Sequence, residues 1–533
     1  MQKIFLYGPP GSGKSTIGKL LAENLNFLFV DLDQQIEAQA GMSIARIMAA
    51  SGEPAFRDAE TAALRQACDG LLPGLGGSVI ALGGGALLRP ENRASAEAAG
   101  QVVFLEVERP ILLSRLTPDE SQRPLLSGDP QTRLVELLEK RREHYASFKC
   151  RVAITGGAGQ AELKTPQSLA WDIQRELGVY HVRGMGQPYD VIVEPGGLDQ
   201  LGARLLERGL GGPVLLVSDE NIAPLYAGRA LASLRAAGLA AQTLVIQPGE
   251  DYKTLETVAG LWRGMLEAGL DRKSTLVALG GGVVSDLAGF AASTFMRGCP
   301  WVVAPTTLLS MVDASLGGKT GFDLPEGKNL VGAFHSPRLV LADPLLLASL
   351  PEAELRSGLA EVVKHGVIAD PELFEYCARG YAALLADLPW VVRRAIAVKV
   401  QIIEQDPFEK GLRAALNLGH TVGHAVEIVS EFCLRHGEAV AIGMVVEARL
   451  AEQLALTPPG LAQRIASVLA GVGLPVSVPA NLSLAAILWR MKFDKKKSNN
   501  VVRFALPLKI GLVEPAVPLA DLESIFSPEF LYL

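Results

Sequence analysis

Residues 8–16, Gly8-Pro-Pro-Gly-Ser-Gly-Lys-Ser-Thr16, decide the first fold in this chain. They follow a short apolar run, KIFLY at 3–7, and lead into helical spacing through Leu20, Leu21 and Leu25. A glycine-rich turn between strand and helix, with the pattern GxxxxGK[ST], cradles phosphate oxygens on backbone N–H groups and a helix N-terminus. Gly11, Ser12, Gly13 and Thr16 belong to that cradle, Lys14 reaches toward the β- and γ-phosphates of ATP, and Ser15 is placed for Mg²⁺. The segment is expected to bind a nucleotide.

Outward from this turn, apolar runs at 27–32 (FLFVDL), 78–82 (SVIAL) and 101–107 (QVVFLEV) alternate with helical patterns. Such alternation predicts a parallel sheet covered on both faces. The pattern weakens between Thr155 and Pro188. Residues 1–165 are therefore expected as one P-loop domain and 166–185 as a linker, whose amphipathic stretch at 166–177 can extend the first domain. A second series follows: YDVIV (189–193), PVLLVSD (213–219), QTLVIQPGE (242–250), STLVALGGG (274–282), WVVAPTT (301–307) and RLVLAD (338–343). It predicts a Rossmann-like α/β domain over 186–345. Long helical segments dominate 346–533, with a hairpin at VVRFALPLKIGLV (501–513).

Composition narrows the class. The 533 residues are 49% hydrophobic and 20% charged, ample for several cores. A net charge of −7 argues against nucleic acid or an anionic membrane as partner. The five cysteines, Cys68, Cys150, Cys299, Cys377 and Cys433, form no CxxC pair and fit a reducing compartment. Leu276 to Phe295 is apolar but interrupted by three glycines, Ser285 and Asp286, so strand, turn and helix explain it better than a membrane span. The sequence opens directly on strand and glycine loop, and a cytoplasmic location is expected.

The phosphate loop does not name its acceptor. Asp31 and Asp33 lie two apart at a strand end, so both are expected to project toward the mouth of the site, although ordinary turn or helix capping is the plain reading for one of the two. Arg57 follows in GEPAFRDAE (52–60), then Gly83-Gly84-Gly85, Arg123 in SQRPLL (121–126), and Arg141 four residues before Tyr145. Each arginine alone reads as surface charge. Several around one pocket suit a carboxylate substrate, which a guanidinium grips with two parallel hydrogen bonds. In this order and spacing, GPPGSGKST, FVDLDQQIE, GEPAFRDAE, GGG, RPLL and RxxxY resemble shikimate kinase over residues 1–160. The resemblance implies that Asp33, Arg57, Arg141 and Gly83–Gly85 hold shikimate, that Asp31 assists Mg²⁺, and that Asp33 orients the attacking hydroxyl. It also places Arg123 on a lid over ATP and Arg115 beside the adenine. Gluconate kinase and nucleoside monophosphate kinases, the nearest alternatives, do not explain FRDAE and RPLL.

Three of the seven histidines, His420, His424 and His436, crowd into LNLGHTVGHAVE (416–427) and LRHGEAVAIGM (434–444). His420 and His424 are one helical turn apart and face one side of a helix. Glu361 in GLAEVVKHG (358–366) offers an oxygen ligand, and one carboxylate with two imidazoles is a common catalytic zinc set. Spacing alone leaves open which histidines bind metal. Gly280-Gly281-Gly282 follows a strand and suits backbone contact with a pyrophosphate, though it is not GxGxxG. Arg297, Lys319, Lys328, Lys364 and Lys399 stand beside turns or glycine-rich sequence. Solvated surface is the plain alternative for each, and a helical ion pair for Glu361 with Lys364.

PGEDYK (248–253), GGGVVSDLAGF (280–290), FMRG (295–298), PTTLL (305–309), VDASLGGKT (312–320), GKNLVGAFH (327–335) and FDKK (493–496), with the Glu361 and histidine motifs, resemble 3-dehydroquinate synthase from about 186 onward. The resemblance implies Zn²⁺ (or Co²⁺) on Glu361, His420 and His436, with His424 free in the active site. NAD would lie against Asp219, Asn221, Glu250 and Lys253, against Gly281, Gly282 and Val283, and against Asp286, Thr306 and Thr307. Asp313 and Lys319 would serve both NAD and substrate. A heptulosonate phosphate would meet Arg297, Lys328, Asn329, Lys364, Lys399, Arg413, Asn417, His424 and one or both of Lys495 and Lys496. Of these, Lys319, Lys364, Lys399, Arg413 and His424 would act in catalysis. Ser285 stands where the family usually shows glycine. The family chemistry uses NAD as a returning hydride carrier, and the family's homodimers set the expectation for this chain.

A metal-dependent alcohol dehydrogenase of related fold has no use for so many phosphate-binding lysines. Another sugar-phosphate cyclase is the closer alternative, and a non-catalytic scaffold would not retain every candidate group. The two implied reactions are not consecutive in their pathway, so channelling between them is not expected. Cutting the chain near residue 175 should yield two pieces that fold and act separately. Loss of both activities in well-expressed halves would defeat this expectation.

Overall fold

Strands β1 (Gln2–Tyr7), β2 (Leu28–Asp31), β3 (Gly77–Ala81), β4 (Gln101–Glu106) and β5 (Arg151–Ala153) form one sheet in the order 2-3-1-4-5, every neighbouring pair parallel. The computed structural model describes residues 2–70, 76–115, 130–155, 163–493 and 501–526, and divides into two units, Met1–Leu177 and Gly178–Leu533. Arg123, Lys495 and Lys496 lie outside the described residues. Ile4, Phe5, Leu6 and Tyr7 of β1 are all fully buried, which is why this central strand reads as an unbroken apolar run. Aromatic rings of Tyr7, Phe104, Tyr145 and Phe148 pack edge-on and tilted beneath the sheet's carboxyl ends. The phosphate loop leaves β1 and the GGG loop leaves β3, adjacent strands whose carboxyl ends form the usual ligand crevice of an open α/β sheet.

Residues 166–185, expected as a linker, are folded. The Pro166–Leu177 helix belongs to the first unit and packs against the Lys14–Leu25 helix, burying Leu169, Ala170 and Ile173. Its apolar stripe has to be covered, and the neighbouring helix covers it. Val179–Val182 then forms an edge strand of the second unit, too short to register as a strand in the sequence.

The second unit begins with β6 (Val179–Val182), β7 (Tyr189–Val193), β8 (Gly211–Asp219), β9 (Ala241–Ile246), β10 (Ser274–Gly280) and β11 (Trp301–Pro305). A hairpin of β12 (Lys319–Leu324) and β13 (Gly327–Phe334), absent from the sequence expectation, precedes β14 (Leu339–Ala342). The sheet order is 6-7-14-11-10-8-9, parallel throughout except for β6 on β7. Leu276–Phe295 resolves into β10 and the Gly282–Thr294 helix, as expected. Among the described residues no helix is long and apolar enough to cross a membrane.

From Glu352 the chain is mainly helical, and the β15 (Val502–Lys509) and β16 (Leu512–Leu519) hairpin packs on it. Within this half, Arg394 grips Asp370 through two hydrogen bonds of 2.8 and 2.6 Å, both side chains nearly buried. Asp370 also caps the Pro371–Cys377 helix by accepting from the Leu373 amide. Removing one partner of a buried pair strands the other's charge. Arg394→Leu should therefore lower the stability of this unit by about 3–5 kcal/mol, read from chemical denaturation.

Candidate active sites

In the first unit a cavity of about 840 Å³ is bounded by the phosphate loop, Asp31, Asp33, Arg57, Gly83–Gly85, Arg115 and Arg141. Lys14 Nζ donates to the carbonyls of Gly8 and Pro9 at 2.9 and 3.0 Å, folding back over its own loop. Ser15 Oγ donates to Asp31 Oδ2 at 2.6 Å. A cation between them would take both oxygens as ligands, the hydroxyl keeping its proton and turning it away from the carboxylate. Arg115 donates to the Gly11 carbonyl at 3.0 Å. Asp33 differs from the sequence expectation. Asp31 ends β2 and caps the Leu32–Ala40 helix, so Asp33 sits in that helix's first turn rather than at a strand end. It still lines the cavity.

Arg57 is held by Glu53 at 3.0 Å and Glu60 at 2.7 Å. Glu60 is buried, and burial raises its pKa against the pull of the Arg57 guanidinium. The sequence reading passed over Glu60, whose only signal is its i+3 spacing from Arg57 in FRDAE. The Gly84 carbonyl accepts from Arg141 Nη1 and Tyr145 Oη, both at 2.8 Å, and from Tyr7 Oη at 3.3 Å. Three donors on one carbonyl pin the GGG loop against the floor of the pocket.

In the second unit, three helices meet at Glu361: its own (Glu352–Ala369), that of His420 and His424 (His420–Val429), and that of His436 (His436–Gln453). Glycines allow the approach. A Cβ at Gly437 would come within 1.9 Å of the Ser357 carbonyl, and one at Gly443 within 1.9 Å of the Gly419 carbonyl. His420 Nε2 and His436 Nε2 lie 3.7 and 3.4 Å from Glu361 Oε1. That oxygen is fully buried with no hydrogen-bond partner, as befits a ligand for a divalent cation between two imidazoles. Burial alone would raise Glu361, but the Lys364 ammonium and the two histidines hold it well below the usual carboxylate range. Burial lowers His436, yet the carboxylates of Glu361 and Glu427 outweigh it and push it up to about 10. The point between these groups attracts positive charge.

Two other sets among the described residues have ligand atoms close enough for a metal: His424, Glu427 and His436, and Asp313, Glu361 and His365. In the latter, Lys399 already occupies Asp313, and Lys364 takes only Oε2 of Glu361, leaving Oε1 to face His420 and His436. In the former, Lys328 stands 3.6 Å from Glu427. Glu361, His420 and His436 therefore form the set best fitted to hold a metal, with His424 exposed beside it, its ring 5.1 Å from that of His420.

Cations and amides surround this point. Lys399 Nζ donates to Asp313 Oδ1 and to the Asp313 carbonyl, both at 2.6 Å. Burial would raise Asp313, but Lys399 and Lys364 hold it far below the ordinary range. Lys319 and Asn417 both reach Glu409, at 2.7 and 3.3 Å. Arg413 is buried and donates to the Pro407 carbonyl. A cavity of about 620 Å³ opens over His420, His424, Asn417 and Glu409. Glu409 and Glu427 were not anticipated. Glu427 carries a faint signal, i+3 from His424, and Glu409 carries none.

On the sheet side, Lys253 Nζ meets Asp286 at 2.7 Å, Asn329 at 2.6 Å and Glu250 at 3.8 Å. Gly281 and Gly282 open the Gly282–Thr294 helix, with Val283 in its first turn and Thr306 and Thr307 just beyond the neighbouring β11. Thr306 Oγ1 is buried without a partner. Ser285 fits where glycine was expected, because its hydroxyl donates to the Gly281 carbonyl at 3.0 Å. Asp219 ends β8 and accepts from the Asn221 amide at 2.9 Å. Arg297 stands apart within this chain. It follows the opposite end of the 13-residue Gly282–Thr294 helix, about 20 Å along the axis from the glycines, in a turn with positive φ.

Comparison with known proteins agrees with this geometry. Residues 10–166 match the family model described as shikimate kinase, residues 243–357 that of the 3-dehydroquinate synthase N-terminal region, and residues 358–497 that of its C-terminal region. A 3-dehydroquinate synthase of Nostoc punctiforme is 44% identical over 337 residues, covering 61% of this chain and 92% of the relative. A crystal structure of 2-deoxy-scyllo-inosose synthase with carbaglucose-6-phosphate, NAD⁺ and Co²⁺ is 26% identical over 64% of this chain and 96% of that one, with a TM-score of 0.59. The 2-epi-5-epi-valiolone synthase of Streptomyces hygroscopicus, with NAD⁺ and Zn²⁺ bound, is 32% identical over 63% and 93%, with a TM-score of 0.57. Identity is higher to the dehydroquinate synthase than to either of these cyclases. The chain thus belongs to the 3-dehydroquinate synthase family, with a shikimate kinase domain preceding that region.

Proposed function

We propose that the chain's two activities, shikimate kinase and 3-dehydroquinate synthase, run on the residues assembled above. In the first unit ATP phosphorylates shikimate to 3-phosphoshikimate. Residues 11–16 and Lys14 hold the phosphates, while Ser15 and Asp31 exchange their mutual hydrogen bond for Mg²⁺. The ion supplies charge neutralisation on the phosphates when bound. Arg57, Arg141 and the Gly83–Gly85 loop grip the carboxylate and hydroxyls of shikimate, and Asp33 takes the proton of the attacking hydroxyl. Arg115 contacts the nucleotide, and the family resemblance assigns Arg123 to it as well.

In the second unit 3-deoxy-D-arabino-heptulosonate 7-phosphate becomes 3-dehydroquinate and phosphate. The observation that carries this reading is the convergence of Glu361, His420 and His436 beside the buried ammoniums of Lys364 and Lys399. Zn²⁺ or Co²⁺ held there supplies Lewis acidity toward an alcohol oxygen, and bound NAD supplies a hydride acceptor that gives the hydride back. NAD rests on Gly281, Gly282 and Val283, flanked by Thr306, Thr307, Asp219, Asn221, Glu250, Lys253 and Asp286. Lys319, Lys328, Asn329, Arg413 and Asn417, with Lys495 and Lys496, hold phosphate and carboxylate in register. Lys399, paired with Asp313, and Lys364, paired with Glu361, neutralise charge at the reacting carbons. His424 moves a proton on the substrate. The same reading makes the protein a cytoplasmic homodimer through its second unit.

Asp33→Asn should lower the shikimate kinase turnover by roughly 10²–10⁴-fold while dehydroquinate formation continues at the wild-type rate. Purified chain given heptulosonate phosphate and NAD should release phosphate and dehydroquinate without net NADH, and a chelator should stop it. Release unaffected by chelator and by Glu361→Gln would remove the metal from the mechanism. NADH accumulating on simple alcohols would point to a dehydrogenase instead.

A further inference from the structure

Glu447 lies eleven residues after His436 on the same helix, is fully buried, and belongs to none of the ligand sets described above. Its two carboxylate oxygens accept from the backbone amides of Gly419, at 2.5 Å, and Val422, at 3.2 Å. Those amides open the His420–Val429 helix, whose N-cap, Gly419, offers no side chain to satisfy them. The cap therefore comes from another helix.

One of these bonds leads to the metal set. The N–H of Gly419 and the carbonyl of Leu418 belong to a single peptide group. The N–H donates to Glu447, and the carbonyl lies 3.2 Å from His420 Nδ1. A carbonyl only accepts, so this bond puts the proton on Nδ1 and leaves the Nε2 lone pair facing Glu361 Oε1, 3.7 Å away. A carboxylate on the far side of the peptide strengthens the carbonyl as acceptor, because linked hydrogen bonds polarise one another.

We propose that Glu447 is a positioning residue for the metal ligand His420, acting through the Leu418–Gly419 peptide to set both the tautomer and the direction of the imidazole. The arrangement extends the usual carboxylate–histidine–metal chain by one peptide unit. It also makes the His436 helix responsible for two ligands, one carried directly and one aimed from a distance. The inference rests on the reading of Glu361, His420 and His436 as the metal set.

The test measures Zn²⁺ affinity of the full chain by competition with a chromophoric chelator, together with the visible spectrum of the Co²⁺-loaded protein. Glu447→Gln keeps the shape and one acceptor but loses the charge. It should bind Zn²⁺ about 10–100-fold more weakly and shift the Co²⁺ bands, while NAD titration is unchanged. A residue that merely stabilised the fold would lower the unfolding midpoint and leave the Co²⁺ bands in place, and that result overturns the proposal. So does wild-type affinity in the variant. Wild-type chain that takes up no Zn²⁺ would sink the metal reading itself. Should Glu447→Gln fail to fold, amide hydrogen exchange on the metal-free wild type decides. Protection of Gly419 and Val422 before Zn²⁺ is added is the expected result, and free exchange until it is added overturns the proposal.

Discussion

A carboxylate shut away from water governs the second unit. Glu361 has no solvent exposure, and an uncompensated charge in that position would cost several kcal/mol. Compensation has to come from groups that three separate helices bring within reach: Lys364 on its own helix, His420 on a second and His436 on a third. The helix spacing follows from this need. Gly437 and Gly443 remove the side chains that would hold the His436 helix off its neighbours. The pair of buried Lys399 and half-buried Asp313 continues the same charge network.

The two units offer an anion different surroundings. In the first, a turn of backbone N–H groups follows β1, and Lys14, Arg57, Arg115 and Arg141 line the cavity around it. Three donors fix the Gly84 carbonyl, so the substrate side is rigid backbone set by side chains behind it. In the second unit the positive charge is carried by lysines and an arginine. Each described one with a resolved contact already has an acceptor: Lys253 has Asp286, Lys319 has Glu409, Lys399 has Asp313 and Arg413 the Pro407 carbonyl. Such pairing keeps long cationic side chains ordered, which lowers the entropy lost when a phosphate takes the acceptor's place.

Local chemistry was legible where it is written in consecutive residues. GPPGSGKST announces a strand, a turn and a helix whatever surrounds it, because the glycines and the helix start are themselves the site. The apolar runs became β1 to β4, β7 to β11 and β14 with small shifts at their ends, since buried parallel strands need no more than a short apolar segment between turns. The β12–β13 hairpin escaped notice because β13 is mostly exposed and both strands carry glycine in place of a regular apolar alternation. Capping was one reading of the Asp-x-Asp pair, and Asp31 is the residue that caps; FVDLD does not say which of the two does so, nor that Asp33 then falls in the helix's first turn.

By itself, then, the sequence determined the order of elements, the phosphate loop, and the pairing of His420 with His424 on one helix face, all of which depend on residues within a few positions of one another. Spacing left open which groups join His420, and the fold brings Glu361 and His436 there, the set that the family resemblance implied; tertiary structure alone decided that Arg297 stands apart, that Glu60 braces Arg57 from within a core, and that Glu447 accepts from the Val422 amide twenty-five residues before it. A buried carboxylate looks like any other glutamate in a sequence. Its role comes from which amides, ammoniums and imidazoles the fold leaves facing it once water is gone.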